Sequence, residues 1–213
     1  MKQANVEKFF EILKNERPEP RTELVYKNPY TLLVAVVLSA QATDKGVNKA
    51  TKKIFDKVDN PKDMVALGEA QLKKYINSIG LYNTKARNVI KLSEILLQEF
   101  EGKIPDTRKD LMKLPGVGRK TANVVLNVVF DQPTMAVDTH IFRVSNRTGL
   151  APGKNPQEVE KNLLKQIPDH FLSDAHHWLI LHGRYTCKAR RPWCERCPVF
   201  DLGEFDEKEE IRA

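Results

Sequence analysis

Between Leu111 and Val125 an apolar run of helical spacing breaks at Leu114-Pro115-Gly116-Val117-Gly118 and resumes at Arg119 with no linker. Two helices joined by so few residues must fold back on one another, and glycine permits the positive φ and close backbone approach that such a turn needs. The turn exposes main-chain N–H groups at the start of the second helix, where the dipole also favours an anion. It is therefore a phosphate seat that reads no base sequence. Val117 is placed to plug between the two helices. Pro-Gly-Val-Gly by itself also fits a tight turn without any ligand.

Helical periodicity extends over the rest of the chain. Val6, Phe9, Phe10 and Leu13 form one stripe at i, i+3, i+4 and i+7. Asp44 reads as an N-cap for a helix with Val47, Ala50 and Ile54 inward, and Asn60-Pro61 as cap and first-turn proline of the next. Leu92, Ile95 and Leu96 mark another helix, and Asp106 or Thr107 starts the one through Leu111. Alternating strand patterns are missing, so the fold class is all-α, with about ten helices from this spacing. The most apolar run, Leu32 to Leu38, is seven residues, where a membrane span needs roughly 20. No membrane role is expected, and a charged amino terminus without an apolar core points to the cytoplasm. The net charge of +7 hides an asymmetry: Asp201 to Ala213 carries −4, leaving +11 on the residues before it. A basic body of this kind suits a polyanion such as nucleic acid, and hence a nucleoid-associated protein, although many soluble proteins are merely basic.

Lys120 stands two residues past the second glycine, in the first turn of the new helix. The dipole disfavours a cation there, so helix propensity does not account for it. A neutral amine so placed can attack an aldehyde-level carbon such as C1′ of a deoxyribose and form a Schiff base; a plain phosphate-binding cation is the simpler alternative. Downstream, Asp138 precedes Ile141 and Val144 as a helix N-cap. Capping also fixes the carboxylate, which can then hold a cationic amine, take a proton or stabilise an oxocarbenium-like sugar.

These residues stand within longer stretches that resemble the endonuclease III family of helix–hairpin–helix DNA glycosylases. The stretches are LSAQATD from Leu38 to Asp44, IGLYN from Ile79 to Asn83, LPGVGRKTANVVLN from Leu114 to Asn127, VDTHIFRV from Val137 to Val144 and HHWLILHGRYTC from His176 to Cys187. The resemblance implies two helical lobes with a central DNA-binding cleft. Residues 22–132 would form a barrel of helices, and 1–21 with 133–213 the second lobe. It implies Lys120 as nucleophile and Asp138 as essential acid, with duplex DNA as partner and the chain acting as a monomer. It also implies DNA contacts at Gln41, Leu81, Gly116, Val117, Gly118, Arg119, Thr121 and His140. Gln41 and Leu81 belong to loops pushed into the gap left by a flipped base; read without the resemblance they are a loop glutamine and a core leucine.

The family also carries four cysteines, C-x6-C-x2-C-x5-C, around a four-iron–four-sulfur cluster. Cys187, Cys194 and Cys197 keep the first three positions, and Gly203 stands at the fourth. Three thiolates hold a cluster if the last iron takes water or a carboxylate such as Asp201, Glu204 or Asp206; otherwise the loop is three free thiols. The implied activity is a bifunctional glycosylase and abasic-site lyase that removes oxidised pyrimidines and cuts the strand by β-elimination. An 8-oxopurine or mismatch glycosylase on the same scaffold, and a non-catalytic structure-specific DNA binder, are the alternatives.

Overall fold

A computed structural model describes residues 1–203. Every regular element among them is helical, eleven α-helices and two 3₁₀ turns, in line with the all-α reading. The chain divides into two compact units, Thr22–Asp131 and the pairing of Met1–Arg21 with the residues from Gln132 onward.

The inner unit begins with α2 (Pro29–Leu38), which follows α1 (Gln3–Glu16) of the other unit. The α2 helix starts at a capping box: Asn28 accepts from the Thr31 amide and the Thr31 side chain accepts from the Asn28 amide, with Pro29 in the first turn. From Tyr30 every residue to Leu38 is buried, as a central helix wrapped on all sides requires. Around it lie α3 (Asp44–Phe55), α4 (Pro61–Leu67), α5 (Glu69–Ile76) and α6 (Tyr82–Glu99). The cap of α3 is Thr43, whose hydroxyl accepts from the Gly46 amide at 3.2 Å. Asp44 is therefore the first helical residue, a correction to the cap expected there; its carboxylate still favours the dipole. Asn60 caps α4 as expected, accepting from the Asp63 amide at 3.0 Å. The hairpin helices α7 (Arg108–Leu111) and α8 (Arg119–Phe130) close the unit, α8 packing on α2. Thr107, of the two candidate residues, caps α7.

One cation breaks the pattern of this core. Lys85, in the first turns of α6, is only 4% exposed, and its Nζ has no hydrogen-bond partner among the described residues. Burial lowers its pKa because the charged form loses its hydration.

The outer unit joins α1 to α9 (Thr139–Arg147), α10 (Pro156–Gln166) and α11 (Asp169–Tyr185). The four residues of the amino-terminal stripe are all buried. Phe10 stacks on Phe171 with centroids 5.7 Å apart, and Phe171 meets Trp178 edge-on at 6.0 Å. The Trp178 indole N–H donates to the Arg17 carbonyl at 2.8 Å, so the buried ring keeps its polar atom satisfied. Glycine is required where α9 meets α11: a Cβ on Gly183 would lie 2.9 Å from the Cβ of His140. No helix among the described residues is long and apolar enough to cross a membrane.

The glycine hairpin and the cysteine loop

The hairpin is anchored from below. Leu111, Leu114 and Val117 are buried, and the Val117 amide donates to the Leu114 carbonyl at 3.0 Å, so Val117 is the plug its position suggested. The two glycines differ. Gly116 has φ +83°, and a Cβ there would come within 3.1 Å of both Asn88 Nδ2 and Val37 Cγ1. Gly118 has φ −89°, caps α8 without a side-chain bond and has nothing within 4 Å of its Cβ position. The expectation of left-handed freedom is thus met by Gly116; Gly118 instead leaves open space over the amino-terminal amides of α8. Arg119 and Lys120 are exposed in that first turn and Thr121 is half-buried. A helix amino terminus capped by a glycine, with no side-chain bond from the cap and two exposed cations, is suited to an anionic backbone.

Gln41 and Leu81 share an unusual conformation in the same unit, with φ +53° and +58°. Each costs about 1–2 kcal/mol relative to right-handed backbone, and such strain collects at functional positions. A Cβ on Gly80 would lie 3.9 Å from the Gln41 carbonyl, so the two loops adjoin. Leu81 is 59% exposed, which overturns the core-leucine alternative. The spacing of the Ile79-to-Asn83 stretch gives no hint of this, because the exposure follows from the left-handed residue at the start of α6.

Asp138 caps α9 as expected, and both bonds fall on one oxygen: the His140 and Ile141 amides each donate to Oδ1 at 2.8 Å. Oδ2 takes neither. His140 is half-buried, with its Nδ1 3.3 Å from the Arg143 guanidinium.

Two arginines of α9, missed in the sequence, tie this helix to the cysteine-bearing loop. Arg143 donates to the carbonyls of Gly183 at 2.7 Å and Cys187 at 2.9 Å. Arg147 donates to those of Lys188 at 2.5 Å and Ala189 at 3.1 Å. Their i, i+4 spacing puts both on one helical face, and that was the available signal. Cys187, Cys194 and Cys197 line one cavity with Arg147, His182 and Gly203, enclosing about 400 Å³ of space that includes open solvent. All three are free thiols. Burial pushes Cys197 up to about 11. His182 is pushed down to about 4 by burial and by the nearby Arg17, so its ring is neutral; its Nε2 stands 3.8 Å from Cys197 Sγ. Among the described residues no three histidine, cysteine or acidic side chains converge on a single ion. An iron–sulfur cluster asks for something else, since each thiolate takes its own iron, and the three cysteines line one cavity. Gly203 has ordinary extended backbone, and a Cβ there would make only van der Waals contacts of 3.6–3.9 Å. Of the proposed oxygen ligands, Asp201 is exposed, while Glu204 and Asp206 lie outside the described residues.

Residues 34–169 match the HhH-GPD superfamily of base excision DNA repair proteins. Endonuclease III of Rickettsia felis is 58% identical over 94% of both chains. Endonuclease III of Escherichia coli K12 is 57% identical over 93% of this chain and 94% of that one. The chain belongs to the endonuclease III family. A solved structure of a trapped endonuclease III–DNA covalent intermediate covers all of both chains with a TM-score of 0.91 at 45% identity. Its activity is accordingly that of a base excision repair glycosylase and lyase, and DNA is its partner. The superfamily match takes in the hairpin and Asp138 and stops ahead of the three cysteines, which endonuclease III relatives nevertheless span.

Proposed function

We propose that this chain excises oxidised or fragmented pyrimidines from duplex DNA and then cuts the strand, with Lys120 as nucleophile and Asp138 as its carboxylate partner. The observation that carries the reading is the exposed Lys120 amine in the first turn of a glycine-capped helix. Amides that hold a phosphate there also hold the neighbouring sugar within reach of the amine. The likeness to an endonuclease III trapped covalently on DNA supports it.

The Lys120 amine attacks C1′, and the damaged base departs with the electrons of the glycosidic bond, taking up the proton that the amine gives up. Opening of the sugar leaves a Schiff base between Nζ and C1′. Loss of a proton from C2′ then drives the electron pair through the imine and expels the 3′ phosphate, completing β-elimination. Water hydrolyses the imine and returns the lysine. In this scheme the two α9 amides on Oδ1 fix Asp138 while Oδ2 faces the developing positive charge or accepts a proton. Gln41 and Leu81 fill the space of the flipped nucleotide, recovering part of the few kcal/mol that flipping costs. Gly116, Val117, Gly118, Arg119, Thr121 and His140 contact the DNA, most of them through its backbone. The enzyme acts as a monomer in the cytoplasm, at the nucleoid.

Cys187, Cys194 and Cys197 would hold a four-iron–four-sulfur cluster, with water or a carboxylate serving in place of the fourth cysteine, at whose sequence position Gly203 stands. Such a cluster supplies a structural staple for the loop and takes no part in the lysine chemistry.

Sodium borohydride reduces a Schiff base to a permanent link, so it tests the reading directly. Wild-type protein should become covalently attached to duplexes carrying an oxidised pyrimidine. Lys120→Gln should lose trapping and strand cutting by about a thousandfold or more while keeping duplex affinity, because the hairpin amides remain. Retained trapping in that variant would sink the nucleophile assignment. A panel of duplexes with single defined lesions checks the substrate class.

A further inference from the structure

The chain has two tryptophans, and they live differently: Trp178 is 2% exposed and Trp193 is 53% exposed. The exposed indole of Trp193 presents a flat apolar face on which another ring can stack. Trp193 is also held in place. Its amide donates to the Thr186 carbonyl at 2.9 Å, and its own carbonyl accepts from the Arg196 amide at 3.2 Å. Arg147 pins the preceding strand of the loop at Lys188 and Ala189. The surroundings are cationic: Lys188 Nζ sits 3.9 Å from the ring centroid and the Arg196 guanidinium 5.5 Å from it. Arg190, Arg191 and Arg196 are exposed, and Glu195 is the one carboxylate between Cys187 and Cys197.

We propose that Trp193 is a stacking platform for an unpaired nucleobase, with Lys188, Arg190, Arg191 and Arg196 binding the flanking phosphates of single-stranded DNA. A cation on an exposed indole contributes roughly a two- to fivefold bias. An aromatic–base stack contributes roughly five- to a hundredfold. A base therefore displaces Lys188 from the ring and frees its ammonium for a phosphate. Duplex DNA keeps its bases stacked internally and offers the ring nothing comparable, so the platform favours frayed or unpaired nucleotides, which a strand-cutting enzyme generates at its own product ends. The inference rests on the chain acting on DNA.

Fluorescence of the full-length protein tests it, because the buried Trp178 leaves Trp193 as the reporter that a nucleobase can reach. Titration with a short oligothymidylate should quench emission, and blunt undamaged duplex of equal length should quench it far less. By fluorescence anisotropy of dye-labelled DNA, which needs no tryptophan, Trp193→Ala should lose about tenfold in affinity for the single strand, Trp193→Phe should retain most of it, and undamaged duplex affinity should stay within about twofold in both. Equal losses on duplex and single strand would overturn the platform and leave an ordinary backbone contact. No loss with Trp193→Ala would also overturn it, as would an acidic peptide that quenches and competes as well as the oligonucleotide. Borohydride trapping of the same variants separates this outcome from a failure of the lyase reading, since trapping through Lys120 does not depend on Trp193.

Discussion

The hairpin and the cysteine loop both offer cations to solvent, yet they are held by opposite means. Beneath the hairpin lie Leu111, Leu114 and Val117, each no more than 6% exposed, within the same core as α2 and α6. Its shape follows from apolar burial and one left-handed glycine. Of the described loop beyond Tyr185, Val199 is the one buried residue, and the α9 arginines tie the loop through its carbonyls. The hairpin should therefore be rigid in any state of the protein. The loop should depend on its staples.

After Lys120→Gln, the most damaging change is expected where one side chain plays two parts at once. Asp138→Asn keeps the cap of α9, because asparagine caps about as well as aspartate, but removes the charge. Lyase activity should fall by about a hundredfold or more with thermal stability unchanged. Full activity in that variant would reduce Asp138 to a cap.

Within the hairpin the two glycines can be set against each other. Gly116→Ala must force a Cβ against Asn88 and Val37 at a positive φ, and about 1–3 kcal/mol of stability should be lost. Gly118→Ala meets nothing within 4 Å and should fold normally, but its methyl occupies the approach to the α8 amides. Duplex affinity should then fall by roughly tenfold with the melting temperature intact. Equal destabilisation by both would mean that Gly118, too, serves only the fold.

The loop is tested by adding a staple. Gly203→Cys fits with ordinary contacts and should slow the loss of iron and colour in air by a few-fold relative to wild type after anaerobic purification. Less than about one iron per chain in fully active wild-type protein would remove the cluster from this account. Activity should be the same with and without the substitution, since the lysine chemistry lies elsewhere.

The smallest effect is expected in α6, whose Asn88 supports the hairpin at Gly116. Lys85 is a buried amine with a lowered pKa. The folded protein binds this proton less well than the unfolded chain, so stability rises with pH between the folded value and the ordinary 10.5. Lys85→Met should stabilise the protein by about 1 kcal/mol near neutral pH and remove that component of the slope, read by urea unfolding at pH 8 and pH 10.

Much of this was legible from residue patterns because it is local. The stripe of α1, the Asn60-Pro61 start of α4, the plug at Val117 and the cap at Asp138 all depend on neighbours within a few positions. The α3 cap fell one residue early because Thr43 and Asp44 are both good caps and the sequence does not say which hydroxyl or carboxylate reaches Gly46. Neither α5 nor α10 was placed, the first being a short helix that begins directly at Gly68. What escaped altogether was tertiary. Leu81 was turned outward by its backbone conformation, Lys85 was enclosed by a core, and Arg143 and Arg147 found carbonyls about 40 residues away. Apolar periodicity carries no information about any of these.

The placement of α1 has a consequence for how the chain is made. Its buried face, Val6, Phe9, Phe10 and Leu13, packs in the outer unit with α11, which ends at Tyr185. A ribosome adding about 5–20 residues per second exposes that greasy helix for roughly ten seconds or more before its partner emerges. The inner unit, contiguous from Thr22 to Asp131, can finish folding in the interval. During synthesis α1 is thus an orphan waiting on α11, and chaperones that shield nascent apolar segments have a defined window in which to hold it.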